Sequence, residues 1–251
     1  MFLSTTSPIP VTAWILAYAA AFIIGLSKAG IKGIAVMNVT LMALAFGAKE
    51  STGMVVPLLI LADIFAVIYY NRYTQWRYVF KVLPWMVVGV LIGVVIGKDL
   101  PEKLFKIGMS IIIIITVFMM YWWDRKKAKQ VPTHWAFASS IGTIAGITTM
   151  VGNLAGAFSN IYFLAMRLPK NHFIGTAAWL FLLVNVFKLP FHFFVWETIS
   201  LETLSLNLQL LPGILVGFFV GVRFIKFIKE AFFRKMILAL TAVGALLIML
   251  G

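Results

Sequence analysis

Two ionisable side chains stand in the middle of long apolar runs: Asp63 within Leu58 to Tyr70, and Lys188 within Asn185-Val186-Phe187-Lys188-Leu189-Pro190. An unpaired charge in such surroundings is expensive, so the residue is expected to be paired or to do chemistry. For Asp63 that chemistry is carrying a proton or compensating a lysine; the plainer role is a hydrogen bond between helices. Lys188 could snorkel towards the end of its segment, roughly 10 Å away at 1.5 Å per residue. Against that, Pro190 is expected to disrupt the helix just past it, and Asn185 shares its face at i, i+3. A cation fixed beside an amide and hydroxyls binds an oxyanion through charge-assisted hydrogen bonds. Asn38 and Thr40 offer similar donors in an earlier apolar run. His192, four residues after Lys188, could face the same path, although a lone histidine is a weak signal. His134 and His172 fall at segment ends without ligand-like spacing. With no cysteine in the chain, thiol catalysis and thiolate metal sites are excluded, and neither a metal nor a cofactor is expected.

Two glycine-rich passages surround further polar groups. The first is Gly25-Leu26-Ser27-Lys28-Ala29-Gly30-Ile31-Lys32-Gly33; the second runs Gly142, Gly146, Gly152 and Gly156 through Thr148, Thr149 and Asn153. Glycine at this density lets helices pack closely, or it interrupts them. Freed backbone groups are tolerated in lipid only where protein or a water-filled cavity satisfies them. Two equivalent clusters carrying Lys28, Ser27, Thr148 and Asn153 favour interrupted helices, whose open N-termini suit an anion. The first cluster lacks the Gly-Lys-Ser/Thr ending of a phosphate-binding loop.

These residues must be positioned by membrane helices. The 251 residues are 62% hydrophobic and 12% charged, with a mean hydropathy of +1.02, more apolar surface than one soluble core hides. Spanning a bilayer as helix takes about 20 apolar residues. Ten stretches qualify: 11 to 26, 31 to 46, 53 to 70, 79 to 96, 104 to 123, 135 to 151, 154 to 166, 173 to 194, 206 to 224 and 232 to 250. The second and seventh are short. Met1 to Pro10 lacks the basic start and small-residue cleavage site of a removable signal. Aromatics at Tyr69-Tyr70, Trp76, Tyr121-Trp122-Trp123 and Trp135 read as an interfacial belt.

The net charge of +13 is placed as a topology signal, not as a nucleic-acid patch. If the segments alternate from an outside N-terminus, sixteen of the twenty-one basic residues face the cytoplasm: Lys28, Lys32, Arg72, Arg77, Lys81, Arg125, Lys126, Lys127, Lys129, Arg167, Lys170, Arg223, Lys226, Lys229, Arg234 and Lys235. Lys49, Lys98, Lys103 and Lys106 fall opposite, diluted by acids. Both termini are then periplasmic.

The chain also repeats itself. Leu83-Pro84 through Gly89 and Gly93 returns as Leu211-Pro212 through Gly217 and Gly221. Gly25 pairs with Gly146 at a spacing of 121, and Gly53 with Gly175 and Asp63 with Asn185 at 122. Pro84 with Pro212, Gly89 with Gly217 and Phe105 with Phe233 follow at 128, so about six extra residues are expected in the acidic loop Trp196 to Leu206. The expected fold is all-α integral membrane: repeat one over 1–124, a basic cytoplasmic linker over 125–134, and repeat two over 135–251. Five segments per repeat is an odd number, so the repeats are inverted, an architecture of secondary transporters.

The first glycine passage resembles the signature of the TauE/SafE sulfite exporter family, also called TSUP. The glycine series of the second repeat, with Asn185, Lys188 and Pro190, is similar to that family's second-half pattern. The resemblance covers essentially the whole chain, including its length and duplication. Repeat two departs in placing Asn153 near where Lys32 would fall. The resemblance implies movement of small sulfur-containing anions such as sulfite, sulfoacetate or other organosulfonates across the bacterial inner membrane, often as export. The expected activity is transport by alternating access, not catalysis. Substrate contacts are expected from Lys188, Asn153, Ser27, Lys28, Asn185 and Asn38, and coupling or charge compensation from Asp63 and His192. The partners are the anion and membrane lipid, with a proton and a second copy of the chain as open candidates. A passive anion channel would use the same charges without alternating halves and stays open. A membrane enzyme would need a nucleophile-base pair or metal cluster that is not visible.

Overall fold

The computed structural model describes residues 9–32, 34–101, 103–105, 107, 108, 111, 134–229, 232, 233, 235 and 236, with nothing said of the Ala157 side chain. Eight α-helices are described: α1 Val11–Ala29, α2 Ala35–Phe46, α3 Ala48–Tyr70, α4 Trp76–Lys98, α5 Trp135–Gly152, α6 Ala155–Ala165, α7 Lys170–Phe194 and α8 Leu201–Phe227. A 3₁₀ turn, Asn71–Tyr73, joins α3 to α4. Six of the eight are long and apolar enough to cross a membrane, and the protein is multi-pass. The other two, α2 with 12 residues and α6 with 11, are the short second and seventh segments. At 1.5 Å per residue each reaches about 17 Å, little more than half of a hydrocarbon core. The fifth and tenth segments lie almost wholly outside the described residues, as do the linker lysines and Tyr121-Trp122-Trp123.

The helices pair according to their small residues. Lipid is as apolar as leucine, so helices associate in it by close packing, and glycine permits the closest approach. A Cβ added to Gly25 would strike the Ile214 carbonyl and lie 2.6 Å from the Phe218 nitrogen, while one on Gly217 would strike the Phe22 carbonyl. Gly25 and Gly217 therefore let α1 and α8 meet backbone to backbone. Gly89 and Gly146 do the same for α4 and α5, facing the Thr143 and Met86 carbonyls. The glycines that the sequence equates thus belong to two like contacts, each built from one helix of each half. Between these pairs lie α3 and α7, which pack on each other and carry Asp63, Asn185 and Lys188.

Four expectations change. Pro190 does not end its helix: α7 continues to Phe194, and Pro57, Pro84 and Pro212 are likewise internal. Pro84, Pro190 and Pro212 lie on exposed faces of their helices; in lipid, leaving the helix there would free several more backbone groups than the one carbonyl that proline strands. The acidic insertion is shorter than expected as a loop. α8 begins at Leu201 behind a capping box in which Thr203 N donates to Ser200 Oγ at 3.2 Å and Ser200 N to Thr203 Oγ1 at 2.8 Å. Lys28, in α1, and Lys32, in the turn after it, are not solvent-facing loop charges but are buried, 7% and 3% exposed. Fourteen basic residues remain for the topology argument. Tyr70 likewise leaves the aromatic belt, buried with its hydroxyl donating to the Ala29 carbonyl at 2.8 Å.

Candidate functional site

Two chain breaks face each other across the bundle. α1 ends at Gly30, whose φ of 127° lies outside what a side chain favours; Ile31 N donates to Leu26 O at 3.1 Å to close the end. α5 ends at Asn153, which takes the left-handed conformation at φ 56°, a position asparagine tolerates better than most residues. After each break a short helix starts afresh, α2 at Ala35 and α6 at Ala155. Both first residues line one cavity of about 660 Å³, its open mouth included. First-turn N–H groups have no intrahelical acceptor, so both helix starts present donors and partial positive charge there.

Of the expected substrate contacts, Ser27, Lys28, Asn38, Asn153 and Asn185 all line this cavity. Lys28 Nζ sits 2.6 Å from Asp63 Oδ1, and Asn185 Nδ2 donates to Asp63 Oδ2 at 2.7 Å. Asp63 is fully buried. Of the three roles weighed for it, the lysine partner and the helix-to-helix hydrogen bond are both present in its geometry.

Lys188 sits behind the wall, not on it. Its ammonium donates to Thr149 O at 3.1 Å, to Thr149 Oγ1 at 3.2 Å and to Asn153 Oδ1, which occupies all three of its donors. Asn153 Nδ2 in turn donates to Thr52 O at 2.9 Å. Lys188 therefore clamps the α5 terminus and fixes the Asn153 amide between α7 and α3. His192 also lies off the cavity wall. It is buried, shares a 3.0 Å hydrogen bond with Thr198 Oγ1 and meets the Trp196 ring edge-on at 5.0 Å. Its observed partners belong to the α7–α8 connection.

Lys32, Thr149, Asn160 and Phe181 join the cavity wall without having been singled out as site residues. Lys28 and Lys32 stand over the same Phe181 ring, 4.9 Å and 5.6 Å from its centre, a geometry in which the ring face attracts cations. No carboxylate among the described residues lies within ion-pair distance of Lys32. Asn160 carries a legible signal: it follows Asn38 by 122 residues, the spacing of Asp63 and Asn185. Thr149 follows Ser27 by the same interval. Lys32 carried one in the first glycine passage, at the position Asn153 matches in the second; Phe181 had none, because only the fold brings it to the wall.

Among the described residues, three buried lysines, Lys28, Lys32 and Lys188, face one buried carboxylate, Asp63. Such a surplus is costly in low dielectric unless an anion offsets it. The arrangement offers that anion two ammonium groups, a hydroxyl and two helix starts. No curated protein and no solved structure matches the chain. A family model does, the one described as sulfite exporter TauE/SafE, over residues 17–248, and the chain belongs to this family of sulfite exporters.

Proposed function

We propose that the protein is a secondary transporter that exports small sulfur-containing oxyanions, sulfite or organosulfonates, across the bacterial inner membrane by alternating access. The observation that carries this reading is the cationic surplus around the cavity, three buried lysines against Asp63. In this reading Lys28 and Lys32 hold the anion, with Ser27 and the starts of α2 and α6 donating to it. Lys188 acts through Asn153, keeping the α5 break in shape. Asp63 keeps Lys28 paired when the anion leaves, so the empty carrier is not left with a stranded charge, and it is the group through which proton coupling would run. The moving parts are the two halves, 1–124 and 135–251, as inverted repeats of five segments each joined by 125–134, with both termini periplasmic. Support for that symmetry comes from the equated glycines, which build like contacts at α1·α8 and α4·α5.

The test is sulfite and sulfonate flux in proteoliposomes under an imposed proton gradient. Uphill accumulation supports a coupled carrier; where flux runs only downhill, stimulation by unlabelled anion on the opposite side marks a carrier and its absence a channel. Lys32→Met keeps the bulk and removes one charge-assisted contact, which corresponds to about a 10- to 100-fold loss of apparent affinity. Unchanged flux and affinity in that variant would remove the cavity from the proposal.

A further inference from the structure

Two residues of the cavity wall carry buried acceptors that an anion cannot satisfy. Asn38 and Asn160 both line it, at 3% and 2% exposure. The Oδ1 atom of each lacks a hydrogen-bond partner among the described residues. The orientation of the Asn38 amide is set by the backbone: its Nδ2 donates to the Ala35 carbonyl at 2.6 Å, and a flip would bring two carbonyl oxygens together. Its oxygen therefore points away from its own helix turn. An acceptor left bare at such burial is destabilising, and a ligand that donates to it recovers that loss.

We infer that the transported species is a hydroxyalkanesulfonate: an anionic head for the lysines, a short alkyl linker, and a neutral hydroxyl that donates to Asn38 or Asn160. The inference rests on the anion-carrier reading above and narrows it. The linker has its own surface, since Ile24, Val36, Leu59, Phe181 and Val184 supply apolar wall between the polar groups. The donor is a hydroxyl and not an ammonium, because the nearby charge is already cationic and the one buried carboxylate is held by Lys28 and Asn185. A second positive charge on the ligand would meet repulsion from Lys32 without an anionic partner of its own. A site whose polar groups are built to bond a hydroxyl discriminates strongly against the analogue that lacks it.

Three ligands of one length separate these possibilities: 2-hydroxyethanesulfonate, ethanesulfonate and 2-aminoethanesulfonate. Affinity is read by calorimetry on the full chain in nanodiscs, with sulfite as reference anion. The expected order is hydroxy tightest, with ethanesulfonate about tenfold or more weaker and the amine weaker than the hydroxy compound. In at least one of Asn38→Leu and Asn160→Leu the ratio of hydroxy to ethane affinity should fall towards one; where either does not fold, the corresponding Asn→Ala variant is read the same way. Equal binding of hydroxy and ethane compounds in the unmodified protein overturns the inference and leaves the anion carrier standing. A ratio that survives in the folded variants overturns it as well. Failure of every anion to bind, sulfite included, counts against the carrier reading itself.

Discussion

Removing the Asp63 carboxylate should harm the fold more than removing its lysine. Asp63→Asn keeps the shape and still offers an oxygen to Asn185, but it leaves Lys28, whose side chain is 9% exposed, with no counter-charge. Breaking a buried ion pair from one side costs about 3–5 kcal/mol. At about 2–4 °C per kcal/mol for a chain of this size, the apparent Tm should drop by about 6–20 °C. Lys28→Met is expected to be milder, roughly half that fall, because Lys32 stands over the same Phe181 ring and can turn to Asp63. The double variant removes both charges, and replacing both partners of a buried pair is often close to neutral. It should therefore recover most of the loss seen in Asp63→Asn alone. The assay is thermal unfolding in a fixed detergent, followed by the intrinsic fluorescence of the eight tryptophans and by monodispersity, for the four members of the cycle. If the double variant melts as low as Asp63→Asn, or if Lys28→Met is the more damaging single change, the charge argument made for this cavity is wrong.

Other outcomes follow from the same geometry. Gly25→Ala should separate α1 from α8, since the new methyl would strike the Ile214 carbonyl, and folded yield after gel filtration should fall sharply. Gly156→Ala, whose added Cβ meets nothing within 4 Å, should leave that yield unchanged. Lys188→Met frees the Asn153 amide and should weaken anion binding by about tenfold in calorimetry; equal binding would show that Asn153 holds its place unaided. Ser200→Ala removes one arm of the capping box and should lower stability by about 1 kcal/mol, read as a few degrees of Tm.

The spans of the eight described helices were legible because lipid demands long apolar runs and punishes polar interruptions. Predicted 135 to 151 and observed Trp135–Gly152 differ by one residue for that reason. Pro190 misled because proline ends helices mainly where water or turns can take the freed carbonyls, and on an exposed helix face in lipid ending the helix would strand several more. Lys28 and Lys32 misled for the opposite reason: charges near a glycine break look like loop charges until the break itself is found to be buried. Asp63, Asn185, Asn38 and Asn153 could be nominated from the oddity of a polar group in an apolar run. Asn160 could have been added from the repeat spacing.

By itself, the sequence determined the membrane class, the helix spans, the two breaks and the glycines that admit close packing. All of these are dictated along the chain, by hydropathy over a span or by a residue's own backbone freedom. Tertiary structure alone decided who partners whom. Asn185 and Lys188 share one helix face, yet the first serves Asp63 at 2.7 Å and the second Thr149 and Asn153. Partnership over such distances depends on the crossing of α3, α5 and α7, and that crossing is set by packing between residues far apart in the chain.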